Sequence, residues 1–453
     1  MPPITCNFAS ALYDRMVPLA SGEVRAPGLN VNFIEVEHPR DIFDRMVANR
    51  EFDASELSAS EYITRYVSGD RSFVAIPVFP SRVFRHGFIC VNTNKVKEPQ
   101  DLNGKRVGVQ LYTMTAAVWI RGVLQHEYGV DLSSIEWVEG KMEGPGSHGK
   151  PSTLPPLAPV KITRNTDPTK SLSDLLESGE IDATIGADVP ACLGRAPHIR
   201  RLFPDFKSVE KDYYKRTGIF PIMHLVALRR EYYEANRFVA SALFNALNES
   251  KELARRRMES LGALRYMLPW LPQELDDIRE VFGEDCWPYG LEENRKTLEA
   301  LVQFLYEQSM IDRIMPIDEL FAPYTLSRLK SCNSPSWQPT IRRNRSHPTG
   351  ENKHTILIRD RHARRIRIRI DEERVNIPRA PGASEEFHRA ELAGPGLEQR
   401  AEVARLGEGE ARQVAADGAV VDEGSGAGAV LGDGDGEAGC EGWYDDTRYH
   451  SAA

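Results

Sequence analysis

Three side chains able to handle carboxylates and protons crowd one short stretch: Arg82, Arg85 and His86 in PSRVFRHG. A guanidinium presents a planar fork of donors that matches a carboxylate, and an imidazole changes charge near neutral pH. The plain alternative is a set of surface salt bridges at a domain hinge. A second group, Tyr112, Thr113 and Thr115 in LYTMT, falls where a strand gives way to a helix. Free N–H groups and the helix dipole make such an end an anion site. Either threonine could instead simply cap the helix. His224 closes the apolar run TGIFPIMH, as a proton donor or base in a cleft or as a satisfied interior histidine. Glu56, in ASELSAS, falls at an expected strand end, as an acid or base facing a cleft or as a carboxylate opening a helix. Our candidate acid–base groups are therefore His86, His224 and Glu56, and our candidate anion anchors are Arg82, Arg85, Tyr112 and Thr115. Farther into the same helix, Trp119 reads as core and Arg121 as a surface charge.

Other chemistries lack their signatures. There is no HxH, no HExxH and no cluster of Cys and His, so no metal is expected. His126 and Glu127 are adjacent and point apart on a helix. GxGxxG occurs as GPGSHG (144–149) and GDGEAG (434–439), neither leading into a helical pattern, and GxxxxGK[ST] does not occur, which disfavours a phosphate-cradling nucleotide site.

Alternating strands and helices must position these groups. Ile4 to Ala9 and Leu29 to Glu37 read as strands, the second from its apolar alternation. Asp41 is expected to cap a helix carrying Ile42, Phe43, Met46 and Val47. SFVAIPVF, FICVN, KRVGVQ and SIEWVEG follow as strands, with a helix from LYTMTAAVWIRGVLQHEYG. Residues 143–168, rich in Pro, Gly and Ser, read as an exposed loop. A strand returns near residue 219, and residues 232–324 are helical. The pattern predicts an α/β fold of two lobes: 1–88 opening lobe I, 89–216 forming lobe II, and 217–330 returning to lobe I with a helical C-terminal part. Ligands of such folds sit between the lobes, at strand ends and helix N-termini. Residues 331–453 are low in large apolar side chains and read as a disordered tail, with one frayed helix around 397–415 and a solvated charge block at RIRIRI.

A hydrophobic share of 41% with 27% charged residues is ordinary for a soluble globular chain, and a net charge of -9 argues against general nucleic-acid binding. The six scattered cysteines fit reduced thiols. The first residues lack a basic stretch followed by an apolar run, and no window reaches membrane-spanning length. A cytoplasmic protein without membrane contact is expected. The helical segment 232–324 is the candidate surface for a homo-oligomer, without a direct signal for one.

Five stretches together carry a family resemblance: FVAIPVFPSRVFRHG, DLNGKRVGVQLYTMTAAVWIRGVLQHEYGV, SGEIDATIG, TGIFPIMH and CWPYGLEENRKTLEALVQFLYEQ. In this order they resemble the 4,5-dihydroxyphthalate decarboxylase family. GKRVGV or GEIDATIG alone would point only to the wider binding-protein fold. The loop at 143–168 and the tail after 330 depart from the pattern. The resemblance implies the periplasmic-binding-protein type II fold. It also implies non-oxidative loss of CO2 from a hydroxylated aromatic dicarboxylate, giving protocatechuate. Such a reaction protonates an aromatic carbon, and a hydroxyl para to the departing carboxylate can supply the electrons, so no cofactor is expected. The partner is then a small anionic aromatic substrate. A binding protein without chemistry is the alternative, opposed by the missing export signal. A pyrimidine-precursor enzyme on the same fold is opposed by the missing Cys/His cluster.

Overall fold

A computed structural model of the chain describes residues 2–148 and 154–323, together with three strands in the tail. The chain divides into two compact units, Met1–Ser334 and Pro335–Ala453.

The first unit opens with β1 (Ile4–Ser10), α1 (Val17–Ala20), β2 (Leu29–Glu35), α2 (Pro39–Asn49), β3 (Ala54–Ser58), α3 (Ala59–Val67) and β4 (Phe73–Arg82). A second series follows: β5 (Cys90–Asn92), β6 (Arg106–Val109), α4 (Thr115–Tyr128), β7 (Glu136–Glu139), β8 (Ile162–Arg164), α5 (Leu172–Ser178), β9 (Ala183–Ile185), β10 (Ile199–Arg201) and α6 (Phe206–Thr217). The chain then forms β11 (Ile222–Arg229), α7 (Arg230–Ala235), α8 (Phe238–Glu259), α9 (Leu271–Phe282) and α10 (Arg295–Glu307).

β11 does not extend the second sheet. It inserts between β3 and β4, so one sheet runs β2-β1-β3-β11-β4 and the other β10-β5-β9-β6-β7-β8. Two mixed sheets, crossed twice by the chain, make the two-lobed α/β fold expected from the sequence, with helices completing the C-terminal part. β1, β2 and β3 are parallel, while β11 is antiparallel to both neighbours. The carboxyl ends of β1, β3 and β4 and the amino end of β11 therefore share one edge.

The lobes are bolted together near that edge. α4 is apolar nearly all round, as befits a helix buried on every side, and Trp119 within it is fully buried. The Trp119 indole N–H donates to the Ile222 carbonyl of β11 at 2.9 Å. A side chain at Gly122 would collide with the Phe304 ring, so glycine there lets α10 pack against α4. The body closes where the Ala322 N–H donates to the Ala75 carbonyl of β4 at 2.8 Å.

Several local expectations change. Asp41 lies inside the first turn of α2; His38 is the cap and Pro39 the first helical residue, where proline costs no hydrogen bond. The loop expected over 143–168 contains β8, a three-residue edge strand parallel to β7, while 149–153 lie outside the described residues. In the second unit, Lys353–Arg359 (β12), Arg365–Asp371 (β13) and Ala419–Glu423 (β14) form an antiparallel sheet where disorder was expected. The strict Arg–Ile alternation of RIRIRI has the period of a strand. The rest of the expected tail, the frayed helix included, lies outside the described residues. Among the described residues no helix is long and apolar enough to cross a membrane, and Cys6, Cys90, Cys192 and Cys286 are free thiols.

Candidate active site

The shared edge of the first sheet gathers one carboxylate and its donors. Glu56 is fully buried within β3. Its Oε1 accepts from the His224 Nδ1–H at 2.5 Å and from the Tyr13 hydroxyl at 2.8 Å. Its Oε2 accepts from the Ser10 hydroxyl at 3.0 Å and the Ala11 N–H at 3.4 Å. β11 makes the meeting possible by running antiparallel to β3, with His224 opposite Ser58 and Val226 opposite Glu56. Burial by itself raises the Glu56 pKa. The His224 hydrogen bond and charge, with the Tyr13 and Ser10 hydroxyls, outweigh it and hold the carboxyl below its ordinary value. Burial and the neighbouring Glu56 push the Tyr13 phenol well above its ordinary value, so it remains a donor.

A carboxylate on Nδ1 fixes the imidazole and leaves proton exchange to Nε2. His224 Nε2 has no partner among the described residues, and the side chain is 17% exposed. The Phe43 ring of α2 stands edge-on to the imidazole, with centroids 4.9 Å apart. The pair can therefore act as an oriented acid–base group beside an apolar ring.

Thr115 lies next door. It is the first residue of α4, and Met114 is the cap, without a side-chain bond. Its hydroxyl meets the Ser58 and Ser60 hydroxyls, each at 2.9 Å, and accepts the Ser60 N–H at 3.1 Å. The threonine thus ties the lobe II helix to the end of β3.

In lobe II the carboxyl ends of β6 and β9 carry a second polar group. Gln110 Oε1 accepts the Ala187 and Asp188 N–H groups at 2.9 and 3.3 Å. Its amide nitrogen donates to Asp188 Oδ2 at 2.8 Å and reaches His148 Nδ1 at 3.5 Å. Arg85, on the first crossing between lobes, donates to the Ala187 carbonyl at 3.2 Å and lies over the Phe88 ring. Arg85 is 8% exposed, forms no ion pair among the described residues, and has a buried Nε without an acceptor. Burial lowers its pKa to about 10, against the opposing charges of Asp188 and Glu210.

The other sequence candidates are held in packing contacts. His86 is buried among the rings of Tyr128, Phe203 and Tyr213, with Glu210 at 3.8 Å and no hydrogen bond to either nitrogen. Arg82, equally buried, donates to the Pro288 carbonyl at 2.9 Å, to the Phe220 carbonyl at 3.4 Å and to Asn294 Oδ1, which clamps the C-terminal part onto β4. Tyr112 is covered by the Arg121 guanidinium at 3.7 Å, and its N–H is held by Glu139. Arg121 is no surface charge: it is fully buried and bound to Gln308 and the Tyr112 carbonyl, each at 2.8 Å. Thus Glu56, His224 and Thr115 meet at one edge and Arg85 reaches the strand ends of the other sheet. His86, Arg82 and Tyr112 are buried and make no hydrogen bond to Glu56 or His224 among the described residues. Sequence reasoning missed Ser10, Tyr13, Phe43, Gln110 and His148. Ser10, Tyr13 and Gln110 sit at or just past the carboxyl ends of strands, which was the available signal. Among the described residues no group of three His, Cys, Asp or Glu side chains is arranged to hold a metal ion.

No family model matches the chain. Among solved structures, the periplasmic aliphatic sulphonate binding protein SsuA from Escherichia coli is 16% identical, covering 71% of this chain and 99% of its own, with a TM-score of 0.42. A putative periplasmic sulfonate-binding protein from Methylobacillus flagellatus is 14% identical, covering 73% and 96%, with a TM-score of 0.40. A 4,5-dihydroxyphthalate decarboxylase of Pseudomonas putida is 35% identical over 217 residues, 48% of this chain and 83% of the relative. Another, of Comamonas testosteroni, is 35% identical over 332 residues, 73% of this chain and the whole of the relative. A relative matched from end to end, over a span close to the length of the compact unit Met1–Ser334, places this chain in the 4,5-dihydroxyphthalate decarboxylase family.

Proposed function

We propose that the chain removes CO2 from a hydroxylated aromatic dicarboxylate, 4,5-dihydroxyphthalate by analogy with its relatives, giving protocatechuate. The reading rests first on the His224–Glu56 pair at 2.5 Å with Nε2 left open. In its protonated form His224 gives the Nε2 proton to the ring carbon that bears the departing carboxylate. Glu56 holds the imidazolium in place and balances its charge. The ring hydroxyl para to that carbon supplies electron density. The carbon–carboxyl bond then breaks, its electron pair returns to the ring, and CO2 leaves. His224 recovers a proton from solvent, so each turnover consumes one proton.

Arg85 anchors the carboxylate that stays. A buried guanidinium without a carboxylate partner is costly, and an anionic ligand would supply the missing charge. Its position at the carboxyl end of β9 is where ligands of such sheets bind. Thr115 and Ser58 hold the lobes beside His224.

The test is direct. Purified protein is incubated with 4,5-dihydroxyphthalate, with and without chelator, while CO2 and protocatechuate are followed. Equal amounts of both products, insensitive to chelator, are expected. Thermal stabilisation by the ligand without turnover would contradict the reading, and turnover lost to chelator would contradict its metal-free form.

A further inference from the structure

The reaction above assigns work to lobe I and to Arg85 but leaves His148 idle, although its surroundings are built. The amide of Gln110 is fixed in one orientation, with its oxygen on two N–H groups and its nitrogen on Asp188. That approach depends on Gly186, since a Cβ there would come within 2.5 Å of Gln110 Oε1. The amide nitrogen can only donate. His148 Nδ1, 3.5 Å away, is therefore the acceptor, and a neutral ring must carry its proton on Nε2. No partner for that Nε2 occurs among the described residues. Burial, then the nearby Arg40, lowers the His148 pKa, against Asp188 and Asp44, with Lys141 acting in the same sense as Arg40. The ring is thus kept neutral and a donor.

One element of lobe I bears on both histidines. Phe43 of α2 lies against His224, and Arg40, one turn earlier on α2, lies over Phe43 with its guanidinium 5.4 Å from the ring centre. Arg40 is also the charge that acts on His148 from lobe I. α2, whose Phe43 touches His224, thus lies within charge range of His148, and Gln110, which holds His148, shares Ala187 with Arg85.

We propose that His148 is a specificity-determining residue: its Nε2–H donates to a ring hydroxyl oxygen of an aromatic acid whose departing carboxylate lies at His224. The inference rests on the decarboxylase reading and assigns lobe II the recognition of the hydroxyl. Such a donor separates hydroxylated acids from plain phthalate, because a missing hydroxyl leaves it unpaired.

The experiment measures, on the full chain, binding of 4,5-dihydroxyphthalate and of phthalate by calorimetry, for wild type, His148→Ala and His148→Asn. Wild type should prefer the dihydroxy acid by about tenfold or more, the worth of one well-placed hydrogen bond. His148→Ala should abolish the preference while phthalate affinity stays within about twofold. His148→Asn, which keeps a donor, should restore part of it. A preference undiminished in His148→Ala, or equal weakening of both acids, would overturn the inference. If wild type turns over the dihydroxy acid and that preference persists, only His148 is wrong. If wild type binds neither acid, the decarboxylase reading falls with it.

Discussion

His224 Nδ1 and Glu56 Oε1 stand 2.5 Å apart on adjacent antiparallel strands, although 168 positions separate them in the chain. Glu56 is fully buried, and His224 is its only imidazole partner among the described residues. The Glu56 carboxylate therefore fixes the orientation of His224.

Replacing Glu56 by Gln keeps the shape and removes the charge that steadies the imidazolium. Steady-state kinetics should show kcat reduced by about 10²-fold or more, with KM changed far less. An equal rise in KM with kcat intact would place Glu56 in binding instead.

The same pair sets an acid limit on stability. The folded pKa of Glu56 lies below its ordinary value, which approximates the unfolded chain. The carboxylate therefore stabilises the fold fully above the unfolded pKa, and that contribution is lost as pH falls through the lower, folded pKa. Thermal unfolding of wild type and Glu56→Gln from neutral pH into the acid range should show their Tm difference shrinking as the pH drops. A difference that grows toward acid would contradict the direction.

Arg82 and Arg85 should separate cleanly. Arg85→Met removes a buried cation that lacks a carboxylate, so Tm should hold or rise while KM increases by about tenfold or more. Arg82→Ala strands the Pro288 carbonyl and Asn294 and opens a buried space. It should cost about 2–4 kcal/mol of stability with KM little changed in the folded fraction. The opposite pattern would exchange their roles.

Much of this was legible in the sequence, and the remainder failed for physical reasons. The lobes followed from strand–helix alternation and the returning strand at TGIFPIMH. Glu56 and His224 stood out singly as polar groups in apolar strands. Their pairing was not readable, because it depends on β11 inserting between β3 and β4 rather than beside β10. His86 adjoins Arg85 in the chain, but the fold closes the rings of Tyr213 on α6 and Tyr128 on α4 over it. Arg121 was expected at the surface although the first turns of its helix are apolar nearly all round, a pattern that demands burial. Gln110 and His148 carry no motif, and only the fold brings them together.

In the proposed reaction His224 delivers the proton that accompanies loss of CO2. The most direct test is single-turnover CO2 release from 4,5-dihydroxyphthalate by wild type and His224→Ala, with enzyme in excess and ligand binding confirmed for each. His224→Ala should still bind but release CO2 about 10²–10⁴-fold more slowly. Release at the wild-type rate from a substrate-loaded His224→Ala would contradict it.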